Sequence, residues 1–239
     1  MGIPREFPVS FQRPLWVLPL LPLILVTDFT ALLWLGGTGL ILLLVKDARA
    51  STFSLVYRNW WISLGIGGLV GSAIHFLIDP IIIPLSEAAT GSTIDLSQFA
   101  EVHGDAGAFI ELLIVALIFG GVVEEICFRG FFIGWGVSLY GRRAALPLVL
   151  VTSVAFGIGH WYQGPAGAIV TGISSIVFGL VYIMTGYKLL PTIATHMSVN
   201  FLGVLDLYLH GPCVLPETSR RDHARSKCGR CSFARSTKR

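Results

Sequence analysis

The chain has 239 residues, 54% of them hydrophobic and only 13% charged, with a mean hydropathy of +0.74. That balance excludes a soluble domain, which at this length needs far more polar surface to cover its core. It gives no footing to a nucleic-acid partner either, because the net charge of +3 belongs to one end: residues 210–239 hold eight of the 17 Lys and Arg against two of the 14 Asp and Glu, leaving nine basic and twelve acidic groups elsewhere.

Residues 15–45 are apolar except for Asp28 and a few small polar residues. The run exceeds the roughly 20 residues of one simple span and is longer than a signal peptide. It reads as a tilted helix or as a hairpin broken around "TDFT". A second span, residues 60–85, opens on the pair Trp60 and Trp61, as chains do at a membrane interface. "SEAATGSTIDLSQFAEVHGD" follows as an acidic loop without Lys or Arg. The third span covers residues 108–135, and "YGRRAALP" turns the chain into a fourth, residues 146–161. Gly164 and Pro165 make the next turn. The fifth span, residues 166–187, carries Gly172, Ser174, Ser175 and Gly179, small residues that suit close helix packing in lipid. Lys188 and Pro191 lead into a sixth, residues 192–209. The expected fold is all-α: a polytopic transmembrane helical bundle of about six to seven spans, multi-pass and integral to the membrane.

Lys46, Arg49 and Arg58 precede the second span, Arg142 and Arg143 the fourth, and Lys188 the sixth. The positive-inside rule places these loops on the cytoplasmic side. The basic tail then falls on the opposite side if the sixth span crosses fully. Rich in Gly, Ser, Arg and Lys, the tail reads as a disordered segment. Cys228 and Cys231 form a lone CxxC without a second pair; with Cys127 in an apolar run and Cys213 in the tail, they imply no disulfide framework.

"VVEEICFRGFF" (residues 122–132) puts two glutamates and an arginine into an apolar span, where each charge costs roughly 2.5–3.5 kcal/mol by insertion scales. Such groups persist when they pair or line a hydrated cavity. On a helix, residues i and i+4 share a face, so Glu125 stacks over Arg129 as structural support. Glu124 points elsewhere and is left as a carboxyl suited to general acid–base work. "AFGIGHW" sets Phe156 and His160 at i, i+4, and "ATHMSVNF" does the same for His196 and Asn200. A carboxyl, two imidazoles and an amide on three spans make a catalytic constellation rather than a coincidence. His75 and Asp79, also at i, i+4, read as a structural pair, and Asp206 as a capping or pairing group.

"EEICFR", "FGIGH" and "HMSVN" resemble, in order, the EExxxR, FxxxH and HxxxN motifs of the CPBP family, the CAAX prenyl endopeptidases and bacteriocin-processing (Abi) proteins. The resemblance covers residues 108–209 and divides the chain into N-terminal spans with the acidic loop (1–107), a CPBP-like catalytic core (108–209) and the basic tail (210–239). It implies an intramembrane endopeptidase in which Glu124 and His160 activate water while His196 and Asn200 stabilise the oxyanion. No cofactor is then required. A zinc-dependent metalloprotease with Glu124, His160 and His196 as ligands is the alternative, although the HExxH pattern of soluble zinc proteases is absent. A non-enzymatic carrier or scaffold is the other, against which stands the lack of any internal repeat. The implied partners are membrane lipid and a peptide or membrane-anchored, in one version prenylated, protein substrate. Small size and the lack of an organelle signal favour a bacterial plasma membrane.

Overall fold

The computed structural model describes residues 9–18 and 28–212. Residues 19–27 of the first apolar run, and the tail from residue 213 onwards with Cys213, Cys228 and Cys231, lie outside the described residues. Every described element is helical: α1 (Val9–Val17), α2 (Asp28–Leu44), α3 (Lys46–Thr52), α4 (Trp60–Thr90), α5 (Ala106–Tyr140), α6 (Ala145–Gly159), α7 (Gly164–Met184) and α8 (Leu189–His210). An all-helical answer follows from the solvent: lipid offers no partner for backbone N–H and C=O groups, and a helix satisfies them within itself.

Among the described residues, four helices are long and apolar enough to cross a membrane: Trp60–Thr90, Ala106–Tyr140, Arg142–Gly159 and Trp161–Met184. The count of six to seven spans is not reached by this measure, for a physical reason on each side of it. The apolar part of α2 that qualifies, Leu33–Leu44, is too short. α8 has 22 residues but gives positions to Thr192, Thr195, His196, Asn200 and Asp206, and is not among the four.

The ends of the helices are set by local chemistry. The Asn59 side chain accepts from the Ile62 N–H at 2.8 Å and Asp105 accepts from Ala108 N–H at 2.9 Å, each filling an orphan donor at a helix start. Gly91, at φ 69°, closes α4 in the left-handed conformation that a side chain would resist.

α8 is the central post, packed by α4, α5 and α7. Its crossing with α4 depends on missing side chains: a Cβ on Gly67 would collide with Ala194 Cβ, and one on Gly71 would lie 2.6 Å from Thr195 O. α6 and α7 meet the same way, with Gly157 against Ala168 O and Gly179 against Val149. This close approach is how helices associate where lipid removes the hydrophobic drive. Outward faces carry Trp61, Leu69, Leu77, Ile81, Val154 and Met184, all exposed, as suits a surface bathed in hydrocarbon.

Hydrogen bonds sort the turns into two ends. At one, Leu189 N and Leu190 N donate to Ser54 O and Leu55 O and Lys188 Nζ donates to Ser54 Oγ at 2.6 Å. At the other, Asp95 N donates to Gln163 O and Gly104 N to Tyr208 O. The acidic loop therefore shares its end with the α6–α7 turn and with the C-terminal end of α8.

Candidate active site

α5 supplies both glutamates from an unusual stretch of backbone. It is π-helical over Ala116–Glu124 and again over Ile126–Trp135, with Glu125 at the joint. The i→i+5 pattern is rare and tends to occur as short bulges at functional positions. It turns Glu125 into the bundle, where the side chain is 0% exposed, beside Arg129 at 1%.

Glu125 is saturated with donors. Its Oε1 accepts from Arg129 Nη1 at 2.8 Å and from His196 Nδ1 at 2.9 Å, and its Oε2 accepts from Thr192 Oγ1 at 2.6 Å. Arg129 spends its other nitrogen on α7, where Nη2 donates to Ser175 O at 3.0 Å and to Ser175 Oγ at 2.7 Å. The guanidinium lies 5.1 Å from the ring centroids of both Phe156 and Phe178, within reach of their π faces.

Those two rings carry the histidines. Phe156 stacks on His160 at 4.5 Å and meets His196 edge-on at 5.8 Å; Phe178 stacks on His196 at 4.6 Å. Phe156 thus stands between the two imidazoles and links α6 to α8. His160 Nδ1 lies 2.9 Å from Phe156 O. A carbonyl oxygen can only accept, so Nδ1 carries the proton and Nε2 keeps its lone pair. For His196 the carboxylate of Glu125 does the same to Nδ1.

Asn200 Nδ2 donates to Ala116 O at 2.8 Å, at the start of the first π stretch. A Cβ on Gly120 would come 2.5 Å from Asn200 Nδ2 and 3.9 Å from His196 Nε2. The amide and the imidazole therefore border one bare patch of α5 backbone. Glu124 Oε2 is buried without a hydrogen-bond partner, in contrast to its neighbour.

The structure thus gathers Glu125, Arg129 and His196 by direct bonds, joins His160 to His196 through Phe156, and sets Asn200 beside His196 at Gly120. Sequence reasoning missed Thr192, Ser175 and Phe178. The signal for Thr192 was its i, i+4 spacing to His196; Ser175 was read only as a small packing residue. Away from this site, His75 Nε2 lies 3.3 Å from Asp206 Oδ2 and Nδ1 lies 4.0 Å from Asp79 Oδ2, a separate polar link between α4 and α8. Among the described residues, no group of three or more His, Cys, Asp or Glu side chains is disposed to hold a metal ion.

Residues 106–202 match the model of a family described as Type II CAAX prenyl endopeptidase Rce1-like. No curated protein matches the chain, and no solved structure does. The matched segment holds α5, α6, α7 and the part of α8 that carries His196 and Asn200, so the polar cluster just described is the cluster that the match encloses. The likeness to that family is carried by residues 106–202.

Proposed function

We propose that the protein is an intramembrane endopeptidase that hydrolyses a peptide bond with water activated by Glu124 and His160. The observation that carries this reading is the division between the adjacent glutamates. Glu125 is saturated by three donor groups, whereas Glu124 keeps a buried oxygen with no partner. A group with free acceptor capacity can take a proton from water; one already committed to an arginine, a histidine and a threonine cannot.

In this mechanism Glu124 Oε2 and the Nε2 lone pair of His160 hold and deprotonate the water. Its oxygen forms a bond to the scissile carbonyl carbon, and the carbonyl π bond places its electron pair on oxygen as a tetrahedral oxyanion. Asn200 has a second amide hydrogen beyond the one given to Ala116 O, and it donates to that oxyanion. His196, expected from the sequence as a second donor, turns an Nε2 lone pair to this place because its Nδ1 proton faces Glu125, and it donates there only as the imidazolium. Collapse of the intermediate breaks the C–N bond as the protonated Glu124 returns a proton to the leaving amine. Donors fixed before the reaction count for more in a dry site, with one oxyanion donor contributing about 2.7–4 kcal/mol. A substrate anchored in the membrane, prenylated in the CAAX case, fits a site enclosed by helices with apolar outer faces.

The test is hydrolysis of a fluorogenic prenylated peptide by the purified protein in detergent or liposomes. Glu124→Ala is expected to abolish turnover while the thermal transition stays in place, and a zinc chelator is expected to leave the wild-type rate unchanged. Wild-type levels of cleavage by the folded Glu124→Ala variant would sink the assignment. Chelator-sensitive activity restored by added zinc would replace it with the metal-dependent reading.

A further inference from the structure

We propose that Thr192 is a positioning residue that acts through Glu125 to hold the His196 imidazole in place beside Gly120 and Asn200. Thr192 lies outside the three motifs that mark the site, and it is 0% exposed. Its hydroxyl has one hydrogen. It lies 2.6 Å from Glu125 Oε2 and 3.3 Å from Phe178 O, so the short contact to the carboxylate takes it.

That bond has a consequence two atoms further on. A carboxylate turns easily about its last torsion, which has no sharp staggered wells, so its orientation is set by what donates to it. Arg129 and His196 both donate to Oε1. Thr192 is the donor on Oε2, and it stops the group from rotating about the doubly bonded oxygen. A carboxylate only accepts, so His196 presents Nδ1–H to Glu125, and with the carboxylate held from both sides the ring is fixed with Nε2 toward Gly120 and Asn200. The helix sets this up without extra parts: Thr192 and His196 stand at i, i+4 on α8 and share a face, while Phe178 stacks on the imidazole.

Loss of the hydroxyl leaves Oε2 buried and unpaired. The cheapest escape is rotation of the carboxylate, which carries the His196 Nδ1–H bond with it and moves the imidazole out of alignment beside Asn200. This inference rests on the peptidase reading for its kinetic consequence, but the placement of the imidazole is a property of the resting protein and is measured without substrate.

The experiment is solid-state 15N NMR of histidine-labelled full-length protein in liposomes, with the His196 signal identified by its disappearance in His196→Gln. The wild type is expected to show His196 protonated at Nδ1 and unprotonated at Nε2. Thr192→Val keeps the shape and removes the hydroxyl; it is expected to shift and broaden the His196 Nδ1–H signal as the imidazole samples several positions, and Thr192→Ser to restore the single sharp one. In the peptidase assay Thr192→Val should lose kcat on the order of 10²-fold, the loss that follows a small misplacement of a reacting group, with KM little changed, and Thr192→Ser should recover most of it. A wild-type His196 protonated at Nε2, or a Thr192→Val spectrum identical to wild type, overturns the proposal. A protein that shows the expected spectra but cleaves nothing upholds the positioning role and overturns the peptidase reading instead.

Discussion

Glu125 and Arg129 form an ion pair that is almost wholly excluded from solvent. Removing two charges from water costs several kcal/mol per ion, and mutual attraction offsets this only when the remaining lone pairs and protons are also satisfied. Here they are, through Thr192, His196 and Ser175. Arg129→Ala is therefore expected to destabilise the protein by about 3–5 kcal/mol, seen as a lower thermal transition in detergent, because a buried carboxylate loses its partner. The double variant Glu125→Leu/Arg129→Met, apolar on both sides, should recover much of that stability while remaining inactive. A single variant as stable as wild type would mean that the pair supports nothing. The i, i+4 spacing made this pair legible in the sequence. The other members of the network were not, since Ser175 and Thr192 reach it from 46 and 67 residues away, and no local pattern encodes a contact between helices.

At the scale of the element, the two π-helical stretches of α5 decide where the glutamates and the glycines point. Amphipathic periodicity cannot announce them, because a span that is apolar on every side has no stripe whose phase would slip. The sequence did mark small residues for packing, and Gly179 and Ser175 serve that purpose, but Gly120 does something narrower. Its missing side chain lets Asn200 and His196 approach α5. Gly120→Ala adds a methyl that meets the flexible end of Asn200 rather than backbone, so the fold should survive while the amide is displaced. Under the proposed mechanism its kcat should fall toward the roughly 10²- to 10³-fold loss of a missing oxyanion donor. The double variant with Asn200→Ala should be no slower than Asn200→Ala alone, since both remove the same contact. Additive losses in that cycle would place Gly120 outside the oxyanion site. Gly67→Ala makes the contrast, because its new Cβ meets the backbone of Ala194 and Thr195; it should lower stability by about 1–3 kcal/mol, as overpacking does.

Among the described residues, hydrogen bonds tie the turn before α4 to the turn before α8 at one end and the acidic loop to the α6–α7 turn and the end of α8 at the other, and the charges of the two ends differ. Lys46, Arg49, Arg58, Arg142, Arg143 and Lys188 lie in or next to turns that precede α4, α6 and α8, and Lys188 is tied directly to Ser54. The acidic loop with Asp95, Glu101 and Asp105 is tied to Gln163 and Tyr208 at the other end. The helical bundle and this alternation of loop charge were legible because lipid imposes long apolar runs and the membrane sorts Lys and Arg between its faces. The number of crossings was less so, since the hydropathy of α8 is diluted by the very residues that build the site. α8 nonetheless runs from the basic end to the acidic-loop end, which makes its start and finish a direct probe of orientation. Single cysteines at Arg142, Ser54 and Glu101, introduced after Cys127, Cys213, Cys228 and Cys231 are replaced by Ser, should respond to a membrane-impermeant maleimide in two classes. In right-side-out vesicles only the cysteine at position 101 is expected to react, and in inverted vesicles only those at 54 and 142. Reaction of all three from one side would mean that the acidic and basic ends share a face of the membrane, which the antiparallel path of α4 through α8 does not permit.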